Sequence, residues 1–85
     1  MITETIQEAI DEDNIIIGTN ETVKALKHDS LQRVLLAANA KQETIEDIEY
    51  YAELADIEVE HLSQTNEALG NICRKPFHVQ TVGLK

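Results

Sequence analysis

The chain has 85 residues, a formal net charge of −9 and a hydrophobic fraction of 42%. That composition describes one small domain spanning residues 1–85, globular and not disordered, and no run approaches the ~20 apolar residues that a membrane-spanning helix needs. A single cysteine, Cys73, excludes a disulfide framework or a cysteine zinc site within the chain.

The acidic balance argues against a generic nucleic-acid binder, but the charges are segregated. Residues 1–21 carry six acids and residues 42–67 carry nine, with no Lys or Arg in either segment. Residues 22–41 hold Lys24, Lys27, Arg33 and Lys41 against Asp29, and residues 68–85 hold Arg74, Lys75 and Lys85 against no acid. A local positive face on an acidic body is one reading, and chance segregation in a short chain is the other. The opening stretch MITETIQEAI has neither a basic n-region nor an apolar h-region, so an intracellular, cytoplasmic location is expected.

The first segment, TETIQEAIDED, places Ile2, Ile6, Ala9 and Ile10 on one helical stripe. NIIIG is a short β-branched run closed by Gly18 and reads as a strand covered on both faces. TNETVKALKHD, with Val23, Ala25 and Leu26, reads as a helix beginning at Thr19 or Asn20, and RVLLAAN as a second buried strand. ETIEDIEYYAELAD sets Ile45, Ile48, Tyr51, Ala52 and Ala55 on one face and acids on the other. IEVEHL alternates Ile57, Val59 and His61 with Glu58, Glu60 and Leu62, which suits a strand near a sheet edge. TNEALGNICR stacks Ala68, Leu69, Ile72 and Cys73 as a short helix, and FHVQTVGL alternates Phe77, Val79 and Thr81 as a last strand. The order α-β-α-β-α-β-α-β predicts an α/β fold, a three-layer α/β/α sandwich around a small four-stranded mixed sheet. Its strand pairs are expected to be mostly parallel, through right-handed crossovers. Gly18, Gly70 and Gly83 are expected at or near element ends.

Thr-Asn-Glu occurs twice, at residues 19–21 and 65–67, each time where a strand hands over to a helix. Capping explains both occurrences, because Thr and Asn oxygens satisfy the orphan N–H groups of a first turn and Glu suits the helix dipole. A ligand reading adds geometry. Loops after the carboxyl ends of strands line the crevice of an open α/β sheet. There Glu21 can accept from a guanine edge, Asn20 can donate and accept, and Lys24, one turn on, can reach O6 and N7 or a phosphate.

Gly18-Thr19-Asn20-Glu21-Thr22-Val23-Lys24 resembles the Gly-x-Asn-Glu-x-x-Lys signature of the kink-turn-binding ribosomal proteins of archaea and eukaryotes, the L7Ae/L30e type. IEDIEYYAELADIEV and TNEALGNICRKPFHV are most similar to the L30e branch, and the resemblance covers nearly the whole chain. It implies a large-subunit ribosomal protein binding ribosomal RNA at a kink-turn, where tandem sheared G·A pairs follow a bulge. It implies that Asn20, Glu21 and Lys24, with Gly18, Thr19 and Lys27 beside them, read the G·A pairs. The loop from Thr65 and Asn66 to Gly70 would then pack near the bulged nucleotides, and Lys75 would contact phosphate. Phe77 would stack on a splayed base; the start of a buried strand is the other reading of that residue.

Arg74 stands where the family usually has glycine, which either adds a phosphate contact or loses a left-handed turn. His78 replaces the usual Arg, and HDSLQR replaces a basic loop, so Asp29 sits where a cation would help. The acidic body fits either a high-salt cytoplasm or a paralogue that has lost RNA binding and serves as a protein-interaction module; the retained Asn20, Glu21 and Lys24 favour the first.

His28, His61 and His78 have no ligand spacing, so no metal is expected. The acids of residues 43–53 read as a solvated helix face, Tyr50 and Tyr51 as packing residues, and Cys73 as a small buried hydrophobe. No nucleophile–base arrangement or phosphate loop of the Gly-x-x-x-x-Gly-Lys type is present. The expectation is a non-enzymatic, cofactor-free protein, a monomer outside its particle, with neither DNA nor membrane as partner.

Overall fold

Ile15–Ile17, Arg33–Leu36, Glu58–His61 and Thr81–Leu84 form strands β1 to β4 of one sheet, in the order β1-β4-β2-β3. The computed structural model describes residues 2–85, and the packing expected of the Ile2 side chain lies outside the described residues. β2 and β3 pair in parallel, with Val34 opposite Val59. β4 runs antiparallel to both its neighbours, with Leu35 opposite Val82 and Ile16 opposite Gly83. The sheet is mixed, as expected, but the parallel majority is not found: two of its three pairings are antiparallel. The reason is the segment 73–80, which follows the short last helix and carries the chain back along the molecule before β4 begins. β4 then inserts between β1 and β2 against their direction. β1, β2 and β3 consequently point the same way, and their carboxyl ends share one edge with the start of β4.

Helices α1 (Ile2–Asp11), α2 (Thr19–Lys27), α3 (Gln42–Ala55) and α4 (Asn66–Ile72) complete the predicted alternation. One core joins Ile6 of α1 and Leu69 and Cys73 of the α4 region to Leu35, Val82 and Leu84 of the sheet. The other joins Ala25 and Leu26 of α2 and Ile48 and Ala52 of α3 to Val34 and Leu36. The alternation of adjacent strand residues between the two clusters is the period-2 pleat seen from both sides, and the three layers follow from it. β3 pairs only with β2 and so lies at an edge, as IEVEHL suggested.

One expectation is corrected: β4 begins at Thr81, so Phe77 starts no strand, and the residue is 56% exposed. Gly70 lies two residues from the end of α4 and Gly83 one residue from the end of β4, near element ends as expected but inside the elements. A β-carbon at Gly83 would press on the Leu31 side chain, and one at Gly70 would overlap the carbonyl of Phe77. Close approach, not chain reversal, requires both glycines.

Non-glycine residues end the helices. Asp13, Asp29, Asp56 and Arg74 all have φ between 55° and 61°. Each donates its N–H to the carbonyl three residues back, as in Asp29 to Leu26 (3.2 Å) and Arg74 to Asn71 (3.0 Å). The next residue donates five back, as in Ser30 to Ala25 (3.1 Å) and Lys75 to Gly70 (3.0 Å). This paired closure is the Schellman motif, which normally recruits glycine. Asp29 thus has a conformational task in the loop where a cation would have aided RNA binding, and Arg74 keeps the left-handed turn that its substitution for glycine put in doubt.

Candidate nucleic-acid interface

Four loops meet at the edge where β1, β2 and β3 end. The Gly18 N–H donates to Thr81 O (3.0 Å), and the Thr19 and Thr81 hydroxyls share a hydrogen bond of 2.9 Å. These bonds tie the first Thr-Asn-Glu to the start of β4. The second is tied on by Asn39, whose Oδ1 accepts from the Asn66 N–H (2.7 Å) and whose amide donates to Asn66 Oδ1 (3.1 Å). Val79 N–H then donates to Asn66 O (3.0 Å), and Gln80 accepts at its side chain from Lys41 N–H (2.9 Å). Both Thr-Asn-Glu stretches therefore project from one edge.

Their local chemistry differs. Thr65 is the N-cap of α4, its hydroxyl accepting from Ala68 N–H at 3.3 Å. The first stretch does not cap by a side chain: Gly18 holds the N-cap position at φ 114°, and Thr19 turns its hydroxyl to Thr81. The capping expected of both stretches is thus found in the second alone. The first helical bond of α2 runs from Thr22 to Gly18 (3.1 Å), so the N–H groups of Thr19, Asn20 and Glu21 point out of the helix without intrahelical acceptors.

Thr19, Asn20, Glu21, Lys24 and Lys27 line one depression, closed on its far side by Asp47 and Tyr51 of α3. Lys24 Nζ lies 3.7 Å from Glu21, both side chains largely exposed. Such a pair is weak and separates readily. Lys27 Nζ stands 5.0 Å over the Tyr51 ring, a cation–π contact that holds it near the depression. Gly70 is buried in α4 and serves the site through Phe77, whose backbone it accommodates. Lys75 and Phe77 line a second hollow with Ile10, Ile15, Ile17 and Cys73. Burial pushes the Cys73 thiol up from its ordinary value, against an opposing pull from Lys75.

Arg74 is not brought to this edge. Its guanidinium lies 3.7 Å from Asp11, which precedes β1, whereas Gly18 follows it. Asn39 and Gln80 were missed by the sequence reading. Asn39 was detectable, since it also follows a strand whose carboxyl end feeds the same crevice. Gln80 carried no signal, because its position depends on where β4 begins.

Over residues 1–85 the chain matches the model of the ribosomal protein L7Ae/L30e/S12e/Gadd45 family. It is 39% identical over 79 residues to the large ribosomal subunit protein eL30 of Methanopyrus kandleri, covering 93% of this chain and 72% of that protein. Against the eL30 of Methanothermobacter thermautotrophicus the identity is 40% over 74 residues, covering 87% and 76%. Among solved structures, a Bacillus halodurans protein of unknown function superposes with a TM-score of 0.89 at 19% identity, covering 98% of this chain and 82% of that one. The Giardia lamblia 15.5 kD RNA binding protein superposes with a TM-score of 0.82 at 19% identity, covering 98% and 69%. These two likenesses concern the fold.

Proposed function

We propose that this chain, which belongs to the ribosomal protein L7Ae/L30e/S12e/Gadd45 family, is a cytoplasmic RNA-binding protein of the large ribosomal subunit that reads kink-turn-like internal loops. The observation that carries the reading is the arc of Asn20, Glu21 and Lys24 at the open first turn of α2, on the edge shared with Thr65 and Asn66. A guanine in a sheared G·A pair presents N1–H and N2–H₂ donors to Glu21, an acceptor-only group. Asn20 supplies an amide to the neighbouring base edge, and Lys24, released from Glu21, meets O6, N7 or phosphate. Lys27 and Lys75 serve as phosphate contacts. The exposure of Phe77 supports stacking on an unpaired base. Arg74 stands 3.7 Å from Asp11, and this exposed pair separates as readily as that of Lys24 with Glu21. Identity with archaeal eL30 proteins supports the ribosomal assignment.

The test is binding to a kink-turn RNA and to a version whose G·A pairs are converted to Watson–Crick pairs, over a salt series. The first RNA is expected to bind more tightly, with a shallow salt slope of about two to four phosphates' worth. Glu21→Gln is expected to reduce that preference by roughly 1–3 kcal/mol, and Lys24→Ala to weaken binding. Equal affinity for the two RNAs would sink base readout.

A further inference from the structure

The RNA reading leaves the outward face of α3 without a task. Ile48 and Ala52 turn into the core, and on the opposite side of the helix stand Tyr50, 59% exposed, and Leu54, 69% exposed. At i and i+4 they are neighbours on the helix surface. Leu54 also borders a depression between α2 and α3 with Leu26, Tyr51 and Ala55, so apolar surface continues inward from the stripe. Lys27 and Asp29 line the inner part of that depression, but the charge on α3 around the stripe itself is of one sign. Glu43, Glu46, Asp47, Glu49 and Glu53 are exposed on α3, which has no Lys or Arg.

Solvation accounts for the acids but not for two large apolar side chains paired in their midst. Phosphate is repelled by such a face, which excludes a second RNA contact. A second copy docking isologously would set the same carboxylates against one another. The complement is a protein segment that brings apolar side chains at helical spacing and Lys or Arg around them, the helix-in-groove mode of recognition. We propose that this face of α3 docks a basic, apolar-anchored protein segment, with Tyr50 and Leu54 supplying the apolar contact and the flanking carboxylates orienting its cations. Tyr50 and Leu54 line no part of the depression at the Asn20 edge, which this surface adjoins through Lys27 and Tyr51.

The proposal is tested on the full chain by NMR titration with a synthetic helical peptide carrying leucines at i, i+3, i+4 and i+7 and lysines elsewhere. An oligolysine of equal charge is the control. Shifts centred on α3 are expected, with the leucine–lysine peptide binding at least about tenfold more tightly than the control. The double variant Tyr50→Ser/Leu54→Ser alters exposed positions and removes one edge-to-face contact, Tyr50 on Tyr51 at 5.0 Å; it is expected to lose that tenfold for the leucine–lysine peptide and to keep its affinity for oligolysine. Equal binding of the two peptides, unchanged affinity in the double variant, or shifts centred on the Asn20 edge would overturn the proposal. So would a concentration-dependent dimer abolished by Leu54→Ser, which would assign the face to a second copy. No RNA enters the experiment, so its failure is separate from failure of the RNA reading.

Discussion

The carbonyl oxygen of Phe77 occupies the space that a β-carbon on Gly70 would need. Glycine inside a helix costs about 0.5–1 kcal/mol relative to alanine, and α4 carries that cost so that the return segment can lie against it. Gly70→Ala improves helix propensity yet forces backbone apart, and it is expected to destabilise the protein by about 1–3 kcal/mol in urea unfolding. Phe77→Ala at the exposed end of the same contact is expected to change stability by no more than about 0.5 kcal/mol. If Phe77 stacks on a base, the same variant weakens RNA binding by about 1–3 kcal/mol. A Phe77→Ala protein with full RNA affinity would refute stacking.

The two Thr-Asn-Glu threonines lose stability on substitution for different reasons. Thr65→Ala removes an N-cap and is expected to cost about 1 kcal/mol. Thr19→Ala leaves the hydroxyl of the fully buried Thr81 without its partner, for which about 1–3 kcal/mol is expected. Thr19→Ser, which restores the hydroxyl, should recover most of the loss. Thermal or urea unfolding of the three variants decides it. A Thr19→Ala protein as stable as wild type would remove the Thr19–Thr81 bond from the account of how the α2 turn is held.

Pattern was sufficient for the eight elements because each helix buries one face against a core and the inner strands lie between both cores. It marked Ile48 and Ala52 as one face of α3, and the unbroken apolar run marked RVLLAAN as a buried strand. It could not place β4, since the hydrophobic alternation of Phe77, Val79 and Thr81 continues through residues whose backbone bonds go outside the sheet, such as Val79 to Asn66 at the start of α4. Strand direction was misjudged for the same reason: the return segment has no pattern of its own. At the candidate site, Asn20, Glu21 and Lys24 were legible because they are local to one helix turn. The placing of Arg74 beside Asp11 and the Asn39–Asn66 clasp depend on residues distant in sequence. The helical stretches read from the sequence stop at Asp13, Asp29, Asp56 and Arg74, where the helices close, but the left-handed conformation there was not legible because glycine is its usual signal.

Those aspartates yield a prediction of their own. Asp56 is the left-handed residue ending α3, at φ 58°, and α3 has no basic residue in its last turn. A carboxylate there meets the negative end of the helix dipole. Asn tolerates the left-handed conformation equally well and carries no charge. Asp56→Asn is therefore expected to stabilise the protein by about 0.3–1 kcal/mol at low ionic strength, the gain shrinking as salt screens it. Asp56→Ala, which keeps the strain and loses the side-chain help, should be less stable than Asp56→Asn at every salt concentration. Urea midpoints of the three proteins across a salt series would reveal a charge effect by its decline, and a gain unaffected by salt would point to backbone conformation instead.

Cys73 gives the fold a dependence on alkaline pH. Burial raises its thiol above the ordinary 9.0, Lys75 opposing, and the side chain is 2% exposed. The native chain thus holds the thiol proton to higher pH than the unfolded chain does. The sign follows from linkage: the contribution is complete below 9.0, where both states are protonated, and is lost as pH rises through the raised native value. Other ionisable groups share the alkaline range, so wild type alone would not isolate the effect. In Cys73→Ala those groups remain and the thiol is gone. The variant is expected to start less stable, because a buried side chain has been shortened, and to lose stability less steeply over that range. The two urea-midpoint curves should therefore converge as pH rises, and parallel curves would show that the thiol does not ionise with a shifted value.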